Sequence, residues 1–176
     1  MNKTELVQLL EEKTDILLEQ VNQQSDDQFA MRKVEEKWSN AEHLEHLRKT
    51  TRALNKAMKM PKLILKAKFG TCNREERTYE ATKNKYTTAL LDKNAKAPAE
   101  YSSDGSLTNK DKERLVSWYA QECETMKETV SKLSEKNLSQ LVIPHPLIGK
   151  LTFREFVYFT AIHSDHHLAL MKRDNT

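Results

Sequence analysis

Residues 151–170 read LTFREFVYFTAIHSDHHLAL, and the fold is decided by how this run is read. Thr152 and Glu155 have the spacing of a capping box, in which each side chain bonds the other's backbone N–H, and Leu151 and Phe156 flank them at the positions of a hydrophobic staple. A helix therefore starts near Thr152, and nothing in the run breaks it before about Lys172. Phe156, Phe159 and Leu170 share roughly one face of that helix with His163 and His167, so the spacing predicts that this face, with both imidazoles on it, points inward.

Upstream, LVIPHPLIGKL (141–151) cannot be helical, because Pro144 and Pro146 lack the N–H that a helix needs and disfavour helix in the residues before them. Gly149 supplies flexibility or a positive φ just ahead of the last helix. A third long helix is expected from about Asn109 to Leu133, with Leu115, Tyr119, Met126, Val130 and Leu133 inward. The first covers 4–22, where Leu6, Leu10, Leu17 and Val21 recur near helical spacing. The second opens at KWSNAEHLEHL (37–47), where Ser39 and Glu42 form a capping box, Trp38 precedes the cap and His43 stands at the staple position. It runs to about Lys59 and is stopped by Pro61. From 61 to 109 the pattern is poor: 62–70 and 73–91 read as short helical pieces, and NAKAPAEYSSDGS (94–106) is loop chemistry.

Composition agrees with an all-α chain. Three glycines and four prolines in 176 residues, with 31 % charged residues, favour long helices over glycine-turned hairpins. Four helices with one long irregular crossover between the second and third suggest a four-helix bundle, and the length suits one domain spanning 1–176. Cys72 and Cys123 lie far apart and outside any C-x-x-C spacing, which argues against a disulfide framework or a zinc finger and points to a reducing, cytoplasmic setting. No segment approaches the roughly 18 apolar residues of a membrane span.

His163 and His167 are a helical turn apart, so their Cβ atoms should lie about 5–6 Å from each other, a spacing that can chelate one divalent ion. The competing reading is a pair of core histidines that merely satisfy hydrogen bonds, and a third ligand would decide between the two. His43, His46 and His145 are the candidates. Periodicity favours His43, which flanks the stripe of Leu44, Leu47, Thr51, Leu54 and Met58 more closely, while His46 lies on the edge shared with the small residues Ala53 and Ala57. Spacing alone does not settle the choice.

Two stretches resemble the DinB-like (YfiT-like) superfamily of metal-dependent enzymes. HPLIGKLTFREFVYFTAIHSDHHL (145–168) is similar to the tail of one branch of that family, and WSNAEHLEHL (38–47) is similar to its Trp-Ser cap followed by a histidine eight residues after the Trp. The resemblance anchors the second and fourth helices, and 61–109 carries no matching motif. It implies an up-down-down-up four-helix bundle with a divalent metal, usually zinc or nickel, held by three histidines, which fall here on His46, His163 and His167. His43 then keeps its staple role, and His166 is either behind the ligands or at the surface.

Three neutral imidazoles would leave a divalent ion its full charge and an open position, the arrangement of catalytic zinc. Such an ion can acidify a water or hold a thiol as thiolate. The resemblance implies a transferase acting with a low-molecular-weight thiol on a small-molecule substrate, with metal-dependent hydrolysis as the alternative. A non-catalytic bundle, for example a homodimer with a structural ion, is the third reading. No general base stands out: Asp165 projects away from His163, Glu42 belongs to a cap, and Gln121, Glu122, Cys123 and His145 carry no signal beyond position. Nine Lys or Arg and no acid occur between Glu45 and Glu75, but aromatic interleaving is nearly absent, so 48–68 reads as a solvated face and nucleic-acid binding is disfavoured.

Overall fold

The structure is a computed structural model and describes residues 1–93 and 97–173. Its elements in chain order are α1 (Lys3–Asn22), α2 (Asp26–Ala30), α3 (Asn40–Met58), α4 (Lys62–Phe69), α5 (Tyr79–Lys93), α6 (Lys112–Lys132), α7 (Glu135–Gln140), β1 (Val142–His145), β2 (Gly149–Thr152) and α8 (Phe153–Arg173), with short 3-10 turns at Ala99–Tyr101 and Asn109–Asp111. Of the loop expected over 94–106, the first three residues lie outside the described ones.

The four long helices α1, α3, α6 and α8 form the bundle. Each meets two of the others, in the ring order α1, α6, α3, α8. Pairings along the contacts give the senses. Lys13 bonds Asp165 at 3.2 Å and Arg154 bonds the carbonyl of Met1, so α1 and α8 run the same way. Glu11 meets Lys127 at 3.4 Å while Lys3 reaches the carbonyl of Leu133, so α6 runs against α1. Arg48 lies over Trp118 and Asn55 bonds Glu122, so α3 runs with α6.

The expected caps set the helix starts. Ser39 and Glu42 bond each other's backbone N–H groups at the start of α3, at 3.3 and 2.8 Å. Thr152 and Glu155 do the same before α8, at 3.1 and 3.0 Å. Every residue from Phe153 to Ser164 is buried, because α8 is covered by α1, α3, α5, α7 and β2. Apolar residues therefore run all round this stretch, and the polar ones buried with them, such as Arg154, Glu155 and Ser164, are hydrogen-bonded. Each large apolar side chain so buried contributes about 1.5–3 kcal/mol. The core has two parts. One, around Leu6, Met126, Phe153 and Ile162, fills the end near the hairpin, and the other, around Leu17, Leu44, Tyr119 and Leu168, fills the opposite end. Along α8, His163, Ser164 and His167 fall between them.

Two features depart from expectation. The crossover is more regular than expected: α4 falls on the helical piece read at 62–70, α5 starts within the one read at 73–91 and fills most of it, and α5 lies on α8 through Tyr86 against Phe159 and Tyr79 against Tyr158. Its apolar pattern is weak because it buries a single narrow strip, with Thr82 and Tyr86 as its buried side chains. The proline segment is also not a plain bridge. Residues 142–152 form an antiparallel hairpin pairing Val142 with Thr152 and His145 with Gly149. Gly149 has φ 77°, with open space where a Cβ would stand, so it is the backbone angle and not crowding that calls for glycine. A two-stranded ribbon tolerates Pro144 because one side of each strand has no ladder to join. Among the described residues no helix is long and apolar enough to cross a membrane.

Candidate metal centre

His46 sits on the face of α3 turned to α8, and His163 and His167 stand one turn apart on the face of α8 turned to α3. Where the two helices meet, the three imidazoles converge. His46 Nε2 is 3.1 Å from His163 Nε2, and His167 Nε2 is 3.0 Å from the same atom. One ring nitrogen from each residue lies within 4.8 Å of the others, and all three residues are buried, at 5–6 % exposure.

The protons on this cluster can be worked out from its neighbours. His46 Nδ1 is 3.0 Å from the backbone carbonyl of Tyr101, which can only accept, so His46 carries its proton on Nδ1 and presents a bare Nε2. Burial, more than any neighbour, holds His46 below the ordinary imidazole range. Burial, reinforced by the other histidines, holds His163 and His167 well below it. The rings are thus neutral, the form that ligates metal.

Such a cluster fits a divalent ion. Tetrahedral zinc with Zn–N bonds near 2.0–2.1 Å places neighbouring ligand nitrogens about 3.3 Å apart, within a few tenths of an ångström of the two separations here. One proton on His163 Nε2 could serve one neighbouring nitrogen and not both, whereas a cation at the centre satisfies all three lone pairs. The three-histidine cluster could therefore hold a divalent metal ion.

Aromatic rings wall the site. Phe159 stacks on His163 with centroids 5.0 Å apart, and Tyr86 of α5 meets both Phe159 and His163 edge to face. Trp38 stands 5.1 Å from His46 and stacks on His167 at 6.1 Å. It also meets His43 edge to face at 5.4 Å, the contact a staple requires. His43 does more than that, because its Nδ1 lies 2.8 Å from His167 Nδ1, behind the cluster. His166 is half-buried against Tyr86 and His167. His145 is not at the cluster: its Nδ1 accepts the N–H of Leu147 at 3.1 Å within the hairpin turn, and its ring meets Phe159.

The acids weighed as bases all have other partners. Glu42 binds Arg32, Glu122 accepts from Asn55 at 2.8 Å, and Asp165 pairs with Lys13. Gln121 is exposed. Cys123 is buried, and burial pushes its thiol up, away from reactivity. In the basic stretch Arg48 is held by Glu45 at 2.6 Å and Lys49 by the carbonyl of Ser102 at 2.7 Å, while Lys56, Lys59, Lys62, Lys66 and Lys68 are exposed.

Sequence reasoning missed three participants: the Tyr101 carbonyl, Tyr86 and the bond from His43 to His167. The first two lie in the segment without motifs, and a backbone carbonyl leaves no trace in residue identity. The third had a signal in His43 flanking the inward stripe of its helix.

A comparison with curated proteins finds no match. A family model, that of the DinB superfamily, matches residues 9–171, from within α1 almost to the end of α8. That span takes in α3 and α6 whole, most of α1 and α8, and the three converging histidines, and the chain belongs to the DinB superfamily.

Proposed function

We propose that the protein is a metal-dependent enzyme whose zinc or nickel ion is held by His46, His163 and His167, and that it transfers a low-molecular-weight thiol to or from a small electrophilic substrate. When bound, the ion supplies the positive charge that favours a thiolate or acidifies a water. The protein's own residues supply the rest. His46 is aimed by the Tyr101 carbonyl, and the ligands stay neutral because they are buried. Trp38, Phe159 and Tyr86 offer apolar walls that exclude water and suit a substrate with an apolar face.

The observation that favours thiol transfer over hydrolysis is the engagement of the nearby carboxylates. Glu42, Glu45, Glu122 and Asp165, on the helices that bear or border the cluster, are all bonded to cations or amides. Hydrolysis gains from a free carboxylate base to take a proton from water. A thiol is acidic enough that the charge of the ion alone can deprotonate it.

Elemental analysis of protein prepared without chelator, with a screen of thiol conjugation to model electrophiles, tests the reading. Wild type should carry close to one equivalent of metal and accelerate conjugation, and His163→Ala should do neither. Metal below about a tenth of an equivalent after reconstitution with zinc and nickel rules the site out. Bound metal together with ester or amide hydrolysis, and no conjugation, replaces the transferase with a hydrolase.

A further inference from the structure

The imidazole of His43 lies outside the proposed ligand set, yet it is buried and touches one ligand directly. Its Nδ1 is 2.8 Å from Nδ1 of His167, and His167 turns its other nitrogen, Nε2, to the cluster. Two facing nitrogens at this distance share one proton, so one ring donates and the other accepts. The choice decides what His167 shows to the centre. If His43 donates, His167 must carry its own proton on Nε2, pointed at His163, and is blocked as a ligand. If His167 donates, its Nε2 is bare and ready for metal, and His43 keeps its proton on Nε2.

We propose that His43 is a positioning residue for the metal centre: it accepts the Nδ1–H of His167 and so fixes that ligand in its metal-binding tautomer. This rests on the assignment of the three histidines as ligands. The bond also lets the pair change tautomer with no net gain or loss of protons: His43 passes its Nδ1 proton to Nδ1 of His167, His167 releases the proton on its Nε2, and His43 takes one up on its own Nε2. The acceptor is a neutral ring rather than a carboxylate. A carboxylate would push electron density into the ligand and tighten the metal while weakening its acidity. A neutral acceptor orients the ligand and leaves the charge of the ion largely undiminished. Trp38, edge to face with His43 and stacked on His167, holds the two rings in this relation.

The test measures zinc affinity by competition with a chromophoric chelator, and histidine tautomers by long-range ¹⁵N–¹H NMR, neither of which depends on activity. His43→Phe keeps the ring packing and removes the acceptor, and should weaken zinc binding about 10–100-fold. His43→Asn keeps an acceptor oxygen near the same place and should recover most of the loss. In zinc-loaded wild type, His167 should carry its proton on Nδ1 and His43 on Nε2. A folded His43→Phe variant that binds zinc as tightly as wild type overturns the proposal, as does a zinc-loaded wild type in which His43 holds its proton on Nδ1. The NMR measurement needs no variant, so misfolding of either substitution leaves the question answerable. Failure of wild type to bind zinc or nickel at all is a different result, and removes the metal assignment together with the role of His43.

Discussion

His46 Nε2 and His163 Nε2 lie 3.1 Å apart although 117 positions separate the two residues in the chain. Two bare imine nitrogens in contact repel each other unless a proton or a cation stands between them. The bundle brings them together regardless, on the strength of its packing elsewhere, so a cation held there would gain affinity by relieving that repulsion.

That affinity should appear as stability. A ligand that binds only the folded state at about 100 times its Kd adds roughly 2.7 kcal/mol. For a domain of this size each kcal/mol is worth about 2–4 °C. Zinc in excess should therefore raise the melting temperature of wild type by about 5–10 °C in a calorimetric scan. His163→Ala should show almost no rise. An equal rise in both proteins would place the zinc elsewhere.

Glu155 is fully buried and accepts from Arg74 at 2.6 and 2.7 Å, from the backbone of Arg77 at 2.7 Å, and from Thr152. One carboxylate thus ties the crossover to the start of α8. Removing one partner of a buried pair costs about 3–5 kcal/mol, and part-exposure of the Arg74 side chain puts Glu155→Ala at the low end. Arg52→Ala, which loses a 3.9 Å exposed contact with Glu122, should cost under about 1 kcal/mol. Urea midpoints distinguish the two, and equal losses would mean that Glu155 does not fasten the crossover.

Burial holds His145 down to about 4. An unfolded chain has an ordinary imidazole near 6.5, so as pH falls below that value the unfolded state takes up the proton first. The contribution of His145 to stability is therefore complete above about pH 6.5 and is lost progressively down to about pH 4. His145→Asn keeps an acceptor for the Leu147 N–H without titrating. Between pH 7 and 5 the metal-free variant should lose less stability than metal-free wild type, by urea unfolding at each pH. Parallel losses would mean that His145 is not among the groups responsible.

Lys49 donates to the carbonyl of Ser102, next to the Tyr101 carbonyl that aims His46. Lys49→Met should release this loop at little cost to global stability, within about 0.5 kcal/mol. Zinc affinity should fall several-fold as His46 gains freedom to turn. Unchanged affinity would show that the Tyr101 carbonyl holds its place without the lysine.

The helices that were easiest to foresee were those whose ends carry local chemistry. Ser39 with Glu42 and Thr152 with Glu155 bond within three residues of each other, so their geometry follows from spacing alone. α5 was harder, because it leans on α8 through one strip and most of its residues face solvent, where helix and loop compositions look alike. In the sequence the hairpin at 142–152 shows only as a break in the helices. Its prolines exclude a helix without specifying a strand, and its pairing became visible only with Leu151 and Thr152 in place opposite Ile143 and Val142.

By itself the sequence determined that α8 is an inward-facing helix with His163 and His167 on one face, since helical periodicity acts over a single turn. It could not rank His43 against His46 by spacing, because the two stand less than a turn apart on α3 and both are buried. The resemblance of residues 38–47 to a family motif implied His46, and the tertiary structure supplies the physical reason. Where α3 crosses α8 decides which imidazole reaches the cluster through Nε2 and which lies behind it on Nδ1. That crossing is set by side chains packed along the whole bundle, a sum of many weak contacts that no short stretch of residues encodes.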